Sequence, residues 1–367
     1  MQTLIFYSRQ GLRLSNSITL QKLIAESTQA TAEIFHQSWV LKPLKLVSGT
    51  NLDTRVQDLA REGTTELVFV ELKLFELRRH ANGPPELIMS RLKNLVKLLS
   101  QPNAAQNGFN TLQCIGVIQQ DMPSQRVAIK RFAFIFRLPI ANPEANLSLP
   151  NMPISLESAV ISRTERRPTL GERFKLAHTL AETVFQLHSV DWLHKSIRSE
   201  NVLLPRKESK INYSTPYLVG FEFSRVESER STTERDDILD RDIYRHPDRQ
   251  GQPEDRFMVL HDLYALGVTL LEIGIWRPIL GFDKHFIDMT PDQIKICLEK
   301  HAEERLPHYM GGAYTSAVLH CLQGTLIEQP QEASALDKPC GAAQREQVQV
   351  SFLEKVIGVI DSGTGLL

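Results

Sequence analysis

The sequence predicts an α+β fold in two parts, a small β-rich part followed by a larger, mainly helical one. Three observations carry this. Residues 66–139 run strand, helix, strand, strand. Two later stretches, Leu170 to Leu187 and Leu263 to Trp276, have the apolar patterning of long buried helices. Between them a His-led loop at His194 is followed by two short apolar strands, the second ending at Gly220-Phe221-Glu222. The divisions expected are 1–60, an N-terminal extension or the start of the small part; 61–139, the small part; and 140–367, the large part.

Taken in order, Leu20 to Phe35 has apolar residues near helical spacing, and Trp39 to Val47 alternates loosely as a strand does. ELVFVELKLFEL (66–77) is rich in Val, Phe and Leu and reads as a strand. Pro84-Pro85 opens a helix from Glu86 to Leu99, with Leu92, Leu95, Val96 and Leu99 on one face. TLQCIGVI, a turn at Asp121 to Gln125 and RVAIKRFAFIFRLP then form a β-hairpin. Ile140 to Pro168, rich in Pro, Asn and Ser, is a linker with a short helix at its end. Thr169 and Glu172 stand at capping-box spacing and start the helix that delivers the His194 loop. The charged run Glu227 to Arg241 reads as a mobile surface loop, and the chain from Thr290 onward as small helices.

The formal net charge of −1 leaves no field to gather nucleic acid or an anionic membrane, so neither is an expected partner. Cys114, Cys297, Cys321 and Cys340 lack CxxC spacing and read as reduced thiols of a cytoplasmic protein, and the histidines show no metal-ligand spacing. The apolar run at the N-terminus is too short for a signal peptide. Leu263 to Trp276 spans about fourteen residues and includes Glu272, which suits a buried helix and not a membrane span.

The sharpest pattern is LHKSIRSEN, followed after a strand by GFE. It resembles the HRDLxxxN and DFG loops of protein kinases. His194 and Asn201 hold their places, whereas Ser196 stands where the catalytic Asp would be and Gly220 where the metal-binding Asp would be. The resemblance extends over roughly residues 60–367 and implies a two-lobed protein kinase-like fold. It places Lys73 of VFVELK at the phosphate-binding lysine, Phe136, Arg137 and Leu138 at the hinge facing an adenine, and Asp262 below the loop, tied to its backbone. Lys130 in VAIK spells the usual lysine motif, but only about 64 residues separate it from His194, too few for the intervening elements, so it belongs to the hairpin. More narrowly, LHKSIRSEN, YLVGFEFSR, YRHPD and LYALGVTLLEIGIWRP look like a group of filamentous-fungal kinase-like proteins. These are often joined to HeLo-type (prion-inhibition and propagation) domains and implicated in heterokaryon incompatibility or cell-death signalling. The first 60 residues are too short for a helical HeLo domain.

Ser196 cannot act as a carboxylate base, a role typically worth 10² to 10⁴-fold in rate. Gly220 offers no metal ligand, which leaves Asn201 and, two residues past Gly220, Glu222 as weak metal candidates. No GxGxxG loop precedes Lys73, and Leu92 or Lys93 stands where its partner Glu is expected. The expectation is a catalytically inactive pseudokinase acting through protein partners. ATP is a candidate ligand of the cleft, and the missing carboxylates argue against Mg²⁺. The alternative is a weak or atypical ATP-dependent kinase using Lys73 and Asn201. Bland readings stand beside both: Lys73 as a solvent-facing strand lysine, His194 packing under the loop, Asn201 bracing it.

Overall fold

A computed structural model describes residues 36, 38–43, 55–61, 64–77, 86–100, 109–122, 128–139, 152–221, 225–226, 239–251, 257–326 and 342–364. The helix expected at 20–35 lies outside these residues, as do Glu222 and positions 227–238 of the charged run.

The first half is an antiparallel sheet of five strands: β1 (Val40–Pro43), β2 (Val56–Arg61), β3 (Thr64–Leu77), β4 (Cys114–Met122) and β5 (Ala128–Arg137). They lie in the order β1-β2-β3-β5-β4. Strict alternation in β3 divides the sheet into two apolar faces. Val68 and Val70 pack with Trp39, Leu59, Ile118, Ala133 and Ile135 on one side. Phe69 joins Phe132, Phe134 and Phe136 on the other, where helix α1 (Glu86–Leu99) buries Leu92, Leu95, Val96 and Leu99. The α1 bounds are those the sequence predicts. Lys130 lies in β5, opposite Asp121 of the hairpin partner and Phe75 of β3.

The second half is mainly helical, so the α+β class holds. Short strands β6 (Ile154–Ser155), β8 (Val202–Leu204) and β11 (Tyr217–Leu218) form one small sheet. Strands β7 (Trp192–Leu193) and β12 (Arg225–Val226) form another, and β9 (Arg206–Lys207) and β10 (Lys210–Ile211) a third. Helix α2 (Leu156–Ile161) precedes α3 (Leu170–Ser189). The expected capping box is present: Thr169 Oγ1 accepts from the Glu172 N–H, and the Glu172 carboxylate accepts from the Thr169 N–H at 2.7 Å. A two-pronged bond from Arg166, followed by these cap contacts, overcomes partial burial and holds the Glu172 carboxyl down at about 2.

After the short α4 (Leu239–Asp242), helix α5 (Val259–Ile275) runs through the middle of the core, with every residue from His261 to Ile275 buried. It lies against α6 (Pro291–Gln323), and α7 (Ala342–Phe352) and α8 (Gly358–Thr364) pack behind. Helices follow from Thr290 as expected, the first being α6, which runs from Pro291 to Gln323 as two helices joined end to end. It is broken at Gly311, whose φ of 80° and ψ of 166° are open to glycine and strained for other residues. One apolar cluster runs from α1 through α3, α5 and α6 to α8. Among the described residues no helix is long and apolar enough to cross a membrane.

Candidate functional site

The site assembles where α3 ends and the chain turns through Trp192–Leu193 into the His194 loop. Asp191 (φ 57°) and Lys195 (φ 69°) are both left-handed, so the loop needs an anchor to hold this shape. Asp262, fully buried on α5, supplies it. Its carboxylate accepts the His194 N–H at 2.7 Å and the Lys195 N–H at 2.8 Å, and lies 3.2 Å from His188 Nε2 at the end of α3. Burial alone would raise the Asp262 pKa, but His188, His194 and the Lys195 N–H outweigh it and the net shift is downward. The tie expected of Asp262 is therefore present as geometry. His194 is itself fully buried, edge-on to Phe221 with centroids 4.6 Å apart, and burial pushes its pKa down to about 4.

The loop then folds back on itself around Ser196. The Ser196 hydroxyl accepts from Arg198 Nη1 at 2.5 Å and from Asn201 Nδ2 at 3.1 Å, while Asn201 Nδ2 also donates to the Ser196 carbonyl at 2.9 Å. Gly220 comes so close that a Cβ added there would stand 2.2 Å from Asn201 Nδ2, and its φ is +91°. Ser196, Asn201 and Gly220 are thus brought together, as the pattern LHKSIRSEN…GFE requires.

Two residues that sequence reasoning missed close this cluster from the sheet side. Arg55, just before β2, donates from Nη1 to Asn201 Oδ1 at 2.9 Å and from Nη2 to the Glu200 carbonyl at 2.8 Å, with its guanidinium 4.8 Å from the Phe69 ring centroid. Glu71 of β3, only 4% exposed, accepts the backbone N–H groups of Gly220 and Phe221 at 2.5 and 2.8 Å. A carboxylate and a guanidinium therefore bind the 194–201 loop and the 219–221 turn to the sheet. No local motif marks either residue, because the partners lie about 150 positions away along the chain. The period-2 pattern of β3, which turns Phe69, Glu71 and Lys73 to one face, is the one signal that bears on Glu71.

Lys73 stands one pleat beyond Glu71, half-buried, opposite Phe132. Phe136 and Arg137 lie in the sheet ladder, opposite Phe69 and Val68, and the Arg137 N–H donates to Gln113 O at 2.9 Å. Leu138 follows, buried, at the end of the strand. On the other side of the loop Ser199 Oγ is 2.9 Å from Tyr244 OH, which donates to Glu272 at 2.8 Å. Beside them lies a polar cavity of about 260 Å³ lined by Glu157, Arg198, Ser199, Glu200, Asp240, Arg241 and Tyr244. Burial, then Glu200 and Asp240, raise the Glu157 pKa against the opposing pull of Arg198 and Arg55.

Chemically, the cluster is a set of satisfied braces. Neither position 196 nor 220 carries a carboxylate, and Asn201 spends both its oxygen and its nitrogen on protein groups.

A family described as a domain of unknown function (DUF7580) matches residues 137–348. The chain belongs to this DUF7580 family. The match takes in the His194 loop, Asn201, Gly220 and Asp262, whereas Arg55 and Glu71 precede it. No curated protein matches the chain.

Proposed function

We propose that this DUF7580 chain is a catalytically inactive, kinase-like regulatory module that acts through protein contacts, in the setting of fungal self/non-self or cell-death signalling that its sequence resembles. In this reading the sheet with α1 is the small lobe, the helical half is the large lobe, and the His194 loop and Gly220 turn face the cleft between them. The order of elements and the Asp262 anchor support it. The observation that carries it is the closure of the cluster. The residue types at 196 and 220 remove the base and the metal ligand, and Arg55 and Glu71 occupy Asn201 and the Gly220–Phe221 N–H groups. Glu71 also sets a buried carboxylate where polyphosphate would have to approach, an arrangement that repels the ligand.

The test is thermal stability against ATP and ADP, each with Mg²⁺, with Mn²⁺ and with EDTA. A ligand at a hundredfold excess over its Kd would stabilise the fold by about 2.7 kcal/mol, so binding is easily read. We expect no shift under any condition and no phosphate transfer. A metal-dependent shift together with turnover abolished by Lys73→Met would establish the weak-kinase alternative instead. A shift without metal would overturn the closed cleft and leave a nucleotide-sensing module.

A further inference from the structure

We propose that Asp283, Cys297 and His301 form a binding site for a zinc-class divalent cation, outside the loop cluster described above. Cys297 and His301 stand one turn apart on α6, so their side chains share one face of the helix. Asp283 comes from the segment between Phe282 and His285, which lies over that face. The three donor atoms fall within 4.8 Å of one another, and Cys297 Sγ is 3.9 Å from Asp283 Oδ2. In a tetrahedral zinc site a thiolate and a carboxylate oxygen are about 3.5 Å apart, so small side-chain rotations suffice.

A second observation points the same way. Both ring nitrogens of His301 are shielded from solvent, and neither has a hydrogen-bond partner among the described residues. The residue as a whole is half-buried, but two shielded ring nitrogens without partners are costly unless something binds them. Phe282 packs edge-on to the ring at 5.4 Å and fixes its tilt. The other Asp283 oxygen, Oδ1, accepts the His285 N–H at 2.9 Å, which orients Oδ2 toward the cluster as an outer hydrogen bond does for a metal-bound carboxylate.

The donor set fixes the class of ion. One sulfur, one imidazole nitrogen and one carboxylate suit a borderline cation such as Zn²⁺ and not Mg²⁺ or Ca²⁺, which prefer oxygen alone. Binding would form a metal–sulfur bond as the Cys297 S–H proton leaves to solvent. The resulting thiolate and carboxylate neutralise the dication, and water takes the fourth position. A second grouping, His246, Asp248 and His261, is less suited: Lys295 Nζ lies 3.4 Å from His246 Nε2, and the Nδ1 atoms of both histidines already accept backbone N–H groups.

The test is a titration of the reduced chain with Co²⁺, followed by Zn²⁺. We expect one equivalent of Co²⁺ to give a thiolate-to-metal charge-transfer band in the near ultraviolet, and Zn²⁺ to displace it. Cys297→Ala should abolish the band, and His301→Gln should weaken binding by at least about tenfold, the scale on which even outer-shell changes act. Circular dichroism checks that the variants fold. Should Cys297→Ala not fold, protection of Cys297 from iodoacetamide by stoichiometric Zn²⁺, read by peptide mass in the wild-type chain, decides the matter. No band, a band that survives Cys297→Ala and so belongs to another cysteine, unchanged affinity in His301→Gln, or no protection would each overturn the site.

Discussion

Gly220 illustrates how a single residue can be legible in kind but not in consequence. The resemblance of LHKSIRSEN…GFE to the kinase loops implies that glycine stands there in place of a carboxylate, because the spacing of His194, Asn201 and the following strand is local information. It does not show that the vacated volume is used. Asn201 lies so near that a side chain at 220 would collide with its amide, and the φ of +91° adds strain for any L-residue. Gly220→Ala should therefore destabilise the fold by about 2–4 kcal/mol, the sum of overpacking and a left-handed non-glycine backbone. Urea unfolding measures this, and a change below about 1 kcal/mol would mean that Asn201 simply swings aside. Gly220→Asp should be at least as costly and should not create a metal site, since Asn201 holds the space. Arg55 and Glu71 were illegible for a different reason: each is an ordinary charged residue at a strand, and only the folded chain shows what it meets.

At the scale of elements the sequence was most informative where period and caps agree. The bounds of α1 follow from its apolar face, and the start of α3 from the Thr169–Glu172 box. Strand β2 is not marked in the sequence because VQDLAR is short, half polar and without strict alternation, and its place depends on pairing with β3. Helices are legible from Thr290 onward, and the Gly311-Gly312 pair marks the break between the two that make up α6. Pro307 is accommodated, and the chain changes direction only at Gly311. The close approach of α5 and α6 rests on Gly267 and Gly274, one face of α5 two turns apart. A Cβ at Gly267 would sit 2.8 Å from Cys321 Cβ, an atom fixed to its backbone. Gly267→Ala should cost about 1–3 kcal/mol by forcing the helices apart, despite the better helix propensity of alanine. An unchanged or raised melting temperature would refute close helix packing at this point.

Across the whole molecule, buried ionisable groups set how stability depends on pH. Burial holds His194 near 4 and His261 near 3, against about 6.5 in the unfolded chain. Between about pH 4 and 6.5 the unfolded chain therefore binds more protons, and stability rises with pH. Glu272 acts in the opposite sense. Burial raises its carboxyl to about 7, so the native state keeps a proton that the unfolded chain loses near 4.5, and that contribution fades as pH rises toward 7. Among these three groups two imidazoles outweigh one carboxyl, and together they contribute a rise on the order of 1 kcal/mol per unit from pH 4.5 to 6.5. His261→Gln should flatten the rise and Glu272→Gln should steepen it, as followed by urea unfolding across that range. A profile that falls over this range would show that these groups titrate differently. The Arg55 and Glu71 contacts have a consequence of another kind, for competition. Both side chains are tethered to the loops they hold, so each acts as a ligand whose local concentration does not fall on dilution. An external anion or amide donor has to displace a partner that is always present, whereas a change in the sheet that moves the paired strands β2 and β3 together releases both at once. The Asn201–Gly220 cluster is thereby opened more readily by a movement of the sheet than by a soluble competitor.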